Sequence, residues 1–238
     1  MFDFQERIVI VTGAAGHLGQ AVSRGFLSAG AHVVLVDRSP DRLPEQYPSL
    51  VDSPAHMLAT SVDQTEQARV QEMVDQVLER FGRIDVLANT VGGYRAGTPV
   101  HETSLQDWEF MLDLNARTAF IISHAVVPAM LEQAYGKIVH VGSRAALQGN
   151  ARAAAYSAAK SAVVRLTESL SSELKRQGIN VNCVLPGTID TPDNRAAMPN
   201  ADHSRWVAPE ALSDVIMFLA SDAARAIHGA AIPVYGTS

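Results

Sequence analysis

Arg7-Ile8-Val9-Ile10-Val11-Thr12 runs directly into Gly13-Ala14-Ala15-Gly16-His17-Leu18-Gly19. The first six residues are mostly β-branched and apolar, which predicts a buried strand. His17–Ala29 has helical periodicity and stops at Gly30. Between strand and helix, Gly13, Gly16 and Gly19 permit a tight turn. The start of the helix then offers free N–H groups and its positive dipole end to an anion. A lone glycine pattern is weak, but here a strand precedes it, a helix follows it and an acid closes the next strand. That acid is Asp37, at the end of His32–Asp37. A carboxylate there can accept both hydroxyls of an adenosine ribose and would repel a 2′-phosphate. Arg38 pulls the other way. NAD is therefore expected in preference to NADP.

The same alternation continues outward. Strands are expected at His56–Val62, Ile84–Asn89, Lys137–Ser143, Ile179–Leu185 and Ala230–Tyr235. Helices are expected at Gln64–Phe81, Leu105–Gln133 (one or two joined), Ala153–Arg176 and Pro209–Ala220. Apolar strands separated by helices imply a parallel sheet covered on both faces. Right-handed crossovers make it doubly wound. The expectation is a single α/β domain of Rossmann type over residues 1–238, with about seven strands in the order 3-2-1-4-5-6-7. The one long irregular segment, at about 188–208, reads as a substrate lid.

Composition narrows the function classes. Apolar residues make up 47% and charged residues 18% of the 238, with a net charge of −6. That balance disfavours nucleic acid and anionic membranes as partners. No uncharged run of about 18 apolar residues marks a membrane span, and no signal peptide is expected before the first strand. The single Cys183 fits a reducing compartment, so cytoplasm is expected. The histidines His101, His124, His140 and His228 lack metal-ligand spacing, and no metal is expected.

Tyr156 and Lys160 stand four apart on a predicted helix and so share a face. Free tyrosine titrates near 10, too high for a base at neutral pH. An adjacent ammonium favours phenolate, and a tuned tyrosine can give or take a hydroxyl proton. Ser143 closes the fifth strand at its carboxyl end, where ligands sit in open α/β sheets. Its hydroxyl can hold a substrate oxygen beside Tyr156, although serines also cap turns.

With these pieces in order, the chain resembles the short-chain dehydrogenase/reductase family, in its compact single-domain branch, over nearly its whole length. The resemblance rests on Thr12-Gly13-x-x-Gly16-x-x-Gly19, Asp63, Asn89 with Gly92 and Gly93, Asn115, Ser143, Tyr156-x-x-x-Lys160, and Pro186-Gly187 followed by Ile189 and Thr191. It implies hydride transfer between a nicotinamide cofactor and a carbonyl or secondary alcohol, with Asn115, Ser143, Tyr156 and Lys160 as the catalytic set. Gly13, Gly16, His17, Leu18 and Gly19 would hold the pyrophosphate. Asp37 and Arg38 would meet the ribose, and Val62 and Asp63 would flank the adenine. Asn89 would shape the cofactor floor, Lys160 would also hold the nicotinamide ribose, and the Pro186–Thr191 segment would meet the carboxamide. Family members are often homotetramers built on the fourth and fifth crossover helices.

Three departures stand out: His17 replaces a glycine, Thr90-Val91 follows Asn89, and Tyr235 precedes Gly236 where many relatives carry an acid. The lid, from Thr191-Pro192 through Trp206, resembles that of dihydropteridine reductases, which reduce a quinonoid pterin with NADH but lack the serine. A pterin is thus an alternative substrate. Two rival readings are a dinucleotide-binding sensor without turnover and an epimerase or dehydratase that recycles bound NAD. Of the neighbouring cations, Arg144 and Arg152 are candidates for meeting an acidic substrate.

Overall fold

A computed structural model describes residues 2–237. Seven parallel strands form one sheet: β1 (Ile8–Thr12), β2 (His32–Val36), β3 (Met57–Ala59), β4 (Val86–Asn89), β5 (Gly136–Val141), β6 (Ile179–Pro186) and β7 (Ala231–Val234). Their spatial order is β3-β2-β1-β4-β5-β6-β7, as the sequence predicts. The helices are α1 (His17–Ser28), α2 (Arg42–Gln46), α3 (Gln67–Phe81), α4 (Leu105–Leu112), α5 (Thr118–Gln133), α6 (Ala154–Leu174), α7 (Pro192–Ala197) and α8 (Pro209–Ala220).

The strand pleat sorts the apolar residues into two layers. Val9 and Val11 of β1 join Val33 and Leu35 of β2 on one face, against Val22 and Phe26 of α1 and Leu212 and Ile216 of α8. Ile8, Ile10, Val34 and Val36 face the other way, onto Met73 and Val77 of α3 and Ile122 and Met130 of α5. A buried side chain of this size contributes about 1.5–3 kcal/mol relative to exposure. The sheet is therefore the backbone of two continuous cores.

Three local features add detail to the expectation. The run Leu105–Gln133 is two helices joined by a π turn at Asp113–Arg117. Its 29 residues have an 18-residue window of mean hydropathy 1.3, half of it buried inside the fold. Trp108 of α4 is exposed, whereas its neighbour Met111 is buried. The segment after Gly187 is not wholly irregular. Thr191 caps α7 by accepting from the Asn194 N–H, and Ile189 bridges to Val207.

Because all strands run the same way, Thr12, Val36, Ala59, Asn89, Val141 and Pro186 end on one edge of the sheet. The strand order reverses between β1 and β4, which is where open sheets of this kind hold ligands.

Candidate active site

The glycine turn is closed by the Gly16 N–H donating to the Gly13 carbonyl at 2.9 Å. Gly19 packs against that turn so tightly that a Cβ would lie 2.1 Å from the Gly13 carbonyl oxygen. Only glycine fits there. No side chain caps α1, whose N-cap is Gly16, so the first helical N–H groups at His17, Leu18 and Gly19 are left for an anion. This donor set fits a pyrophosphate. His17 is exposed, and its Nε2 lies 3.5 Å from Asp193 Oδ2 on α7.

Asp37 is buried just past the end of β2. One of its oxygens accepts from the Ser39 N–H at 2.9 Å, and the other is 3.4 Å from the Ala15 N–H of the glycine turn. A carboxylate has about four lone-pair sites, so acceptor capacity remains. Arg38 is exposed and lies near Asp63. The Asp63 carboxylate accepts from Thr65 N–H and Oγ1, which, with Arg38, holds it below the usual carboxylate range. Val62 beside it is buried. Arg42 of α2, which sequence reading missed, donates to the Ala15 carbonyl at 2.6 Å and so braces the turn.

Below the turn runs a buried polar chain. Thr12 Oγ1 donates to Asn89 Oδ1 at 2.6 Å. Asn89 Nδ2 lies 3.2 Å from His140 Nδ1, and His140 Nε2 lies 3.2 Å from Ser123 Oγ. Ser123 donates to the Ala119 carbonyl at 2.7 Å, so it receives from His140. The network therefore assigns the proton to Nε2 and leaves Nδ1 to accept from Asn89. Burial pushes the His140 pKa down to about 4, and the Lys160 charge adds to this. His140 is thus the neutral bridge that fixes Asn89.

The residues expected to move a proton sit on the far side of β4. Ser143 accepts from the Ala145 N–H at 3.2 Å, capping a short turn, and its hydroxyl also hydrogen-bonds Tyr156. The serine thus caps a turn and stands beside Tyr156 at once. Burial raises the Tyr156 pKa, the Ser143 hydrogen bond opposes that rise, and Tyr94 adds to it. The Tyr94 ring stands edge-on to Tyr156, with centroids 4.8 Å apart, although Tyr94 is largely exposed.

Lys160, one turn along α6, donates to the Val141 carbonyl at 2.9 Å. Burial lowers its pKa to about 8. Asn115 lies in the π turn. Its Oδ1 accepts from the Gly93 N–H at 3.1 Å, and its Nδ2 donates to the carbonyls of Gly93 and Met111. A Cβ on Gly92 would come within 2.8 Å of Lys160 Nζ and 2.9 Å of Asn115 Oδ1. Gly92 thus lets Lys160 and Asn115 meet at one point.

The Gly187 N–H donates to the Val234 carbonyl at 3.0 Å, which anchors the corner after Pro186. Ile189 and Thr191 follow, with the Ile189 carbonyl accepting from Asn194 Nδ2 at 2.8 Å. The two candidate arginines separate. Arg152 donates to the Gly97 carbonyl and helps line a small cavity of about 40 Å³ with Arg95 and Asp107. Arg144 instead lines a cleft with Ala201, Asp202, Arg205 and Trp206. Among the described residues, no cluster of three metal-ligating side chains occurs.

A family model described as short chain dehydrogenase matches residues 7–202. The (2S)-[(R)-hydroxy(phenyl)methyl]succinyl-CoA dehydrogenase subunit BbsD of Thauera aromatica is 33% identical, covering 98% of this chain and 96% of its own. Meso-2,3-butanediol dehydrogenase of Serratia marcescens is 34% identical over 98% of this chain and 94% of its own. The crystal structure of an NAD+-bound xylitol dehydrogenase matches with a TM-score of 0.90 at 26% identity, over 98% of this chain and 99% of that one.

Proposed function

The chain belongs to the short-chain dehydrogenase family, and from that premise we propose that it interconverts a carbonyl and a secondary alcohol, with NAD(H) as its preferred cofactor. The observation that carries this reading is the Ser143–Tyr156 hydrogen bond with buried Lys160 one helical turn away. A sensor would need the dinucleotide site but none of this proton chemistry.

A bound nicotinamide dinucleotide would supply or accept the hydride. The residues of the chain do the rest. Ser143 orients the substrate oxygen, and Tyr156 delivers its proton to that oxygen in reduction or takes it in oxidation. Lys160 stabilises the phenolate by charge and holds the nicotinamide ribose. Asn115 keeps the approach to Lys160 polar and so supports a proton relay to solvent. Gly13 to Gly19 hold the pyrophosphate, and Asp37 takes the adenosine ribose hydroxyls in preference to a 2′-phosphate.

The protein is proposed to be cytoplasmic and to assemble as a homotetramer. Support for assembly comes from α5, which is apolar on most sides yet leaves Phe120 and Leu131 exposed. A second copy on that face would cover them.

The test is a panel of ketones and secondary alcohols followed by NADH absorbance, run in parallel with NADPH. Turnover that requires Tyr156 supports the reading. Tight dinucleotide binding without turnover of any member would favour the sensor.

A further inference from the structure

Tyr94 lies on the loop after β4, and its ring stands edge-on to Tyr156 with centroids 4.8 Å apart. Tyr94 is nevertheless 70% exposed. A single exposed apolar side chain needs no explanation. Tyr94 differs because it stands against the residue proposed to move the proton. Whatever brings a reacting oxygen to the Tyr156 hydroxyl passes along the Tyr94 ring.

The loop that carries Tyr94 is held on both sides. Before it, Gly93 exchanges hydrogen bonds with the Asn115 side chain at 3.1 and 3.2 Å. After it, Arg95 pairs with Asp107 at 2.5 Å and lies over the Phe110 ring. Gly97 donates its N–H to the Arg152 carbonyl at 2.8 Å, and Arg152 Nη1 donates back to the Gly97 carbonyl at 3.3 Å. Both cations are thus engaged in holding the loop, and what it leaves open is an aromatic ring. The next two loops also present apolar side chains on fixed mounts. Leu147, 59% exposed, lies four residues past Ser143, on a turn fixed by Ser161 Oγ donating to the Ala146 carbonyl at 2.9 Å. Met198, 41% exposed, follows α7, and its carbonyl lies 2.9 Å from His203 Nε2. Because β4, β5 and β6 are neighbours, all three side chains come from adjacent loops on the sheet edge where folds of this kind bind ligands.

We propose that Tyr94 is a specificity-determining residue, which selects ketones and secondary alcohols that carry an aryl or alicyclic ring over small or hydroxylated ones. Tyrosine offers a large, rigid face and has few rotatable bonds to order on contact. A substrate ring laid against it removes apolar surface of both from water. Where that ring is aromatic, offset or edge-on contact adds to the gain. Leu147 and Met198 suit the remaining sides of such a ring, and an unbranched thioether adapts to its shape. A polyol in the same place would exchange water for apolar walls and find no replacement partner there. The inference rests on the oxidoreductase reading of the same site.

The test uses the full chain saturated with NAD+. Acetophenone and cyclohexyl methyl ketone are titrated by calorimetry beside 2-butanone and methoxyacetone, none of which has a hydroxyl to oxidise. At least one ring ketone should bind ~10-fold or more tighter than both small ketones. Tyr94→Ala should cut that preference severalfold at unchanged NAD+ affinity, which reports an intact fold. Tyr94→Phe should keep the preference, separating the ring from any effect of the Tyr94 hydroxyl on Tyr156. The proposal is overturned by a preference that survives Tyr94→Ala, by one that Tyr94→Phe loses as fully, or by ring ketones that bind no tighter than the small ones or not at all. Turnover with NADH separates the two readings. Hydroxyacetone and erythrulose reduced as efficiently as the ring ketones would keep the oxidoreductase and remove the ring site. Binding that is ring-selective and Tyr94-dependent, with no ketone reduced, would keep the ring site and remove the oxidoreductase.

Discussion

His17 and Asp193 join two parts of the chain that the sequence keeps far apart. His17 opens α1 beside the glycine turn, Asp193 lies in the first turn of α7, and their side chains stand 3.5 Å apart. Both are solvent-exposed, so the pair is screened and weak by itself. It nonetheless puts the segment expected to act as a lid in contact with the helix end proposed to hold the pyrophosphate. Cofactor binding should therefore slow hydrogen exchange across residues 188–208. Asp193→Asn should reduce that protection modestly and leave the exchange of β1 and α1 unchanged. Equal exchange of the segment with and without cofactor would count against a lid.

Tyr156→Phe should lower turnover by about 10²–10⁴-fold, the usual contribution of a positioned acid or base. The ring still packs against Tyr94, so NADH affinity should hold, as measured by fluorescence titration. A variant that retains most of its activity would remove Tyr156 from the proton path.

Lys160 gives a pH signature. Its pKa, lowered to about 8, means that its ammonium is present below that pH and is lost above it. In the proposed mechanism alcohol oxidation uses the phenolate of Tyr156, whose own pKa burial raises, and a phenolate formed beside Lys160 would in turn retain the ammonium that stabilises it. Lys160→Met should therefore move the alkaline rise of oxidative kcat/KM to higher pH and weaken cofactor binding. Identical pH profiles for the two proteins would contradict the assigned charge coupling.

The buried His140 predicts acid lability. Its folded pKa, about 4, lies below the unfolded value of 6.5. Between these values the unfolded chain binds a proton that the native chain does not, so stability falls as pH falls through this window. The difference corresponds to roughly 3 kcal/mol at its full extent, reached once the pH is below both values. His140→Asn should flatten the dependence of urea midpoints on pH between about 6.5 and 4. A slope unchanged by the substitution would place the acid sensitivity elsewhere.

Asp37→Ser should raise NADPH use relative to NADH, because the carboxylate would no longer repel a 2′-phosphate. Arg38, and Arg42 once released from the Ala15 carbonyl, are cations available to meet it. Comparison of kcat/KM for both cofactors decides this, and a wild-type preference for NADPH would reverse the assignment of Asp37.

The parts of this molecule that are legible in sequence are those set by local periodicity. The run from Arg7 to Gly19 announces strand, turn and helix within thirteen residues, and the spacing of Tyr156 and Lys160 needs only that α6 be a helix. Elements that depend on short or conflicting signals were not legible. Helix α2 has five residues with Pro44 among them. The π turn hides in a run that is apolar on most sides, so no stripe shows where the phase slips. Thr191-Pro192 carried a start signal for α7 that the loop-like composition obscured. The chain from Thr12 through Asn89 and His140 to Ser123 was out of reach for another reason. It joins residues of β1, β4, β5 and α5 that meet only when the sheet has formed.

The π turn also sets a limit on how this protein can be improved. An α-helix advances about 100° per residue, so one surplus residue rotates everything after it by that amount. The faces that α4 and α5 present to the body are therefore aligned only because Asp113–Arg117 is wound wide. No substitution alters that count. Removing one residue would make a better helix, while carrying Asn115 away from Gly93 or turning α5 off the sheet. In this stretch the informative variant is a change of length, and the misfit is what must be inherited intact.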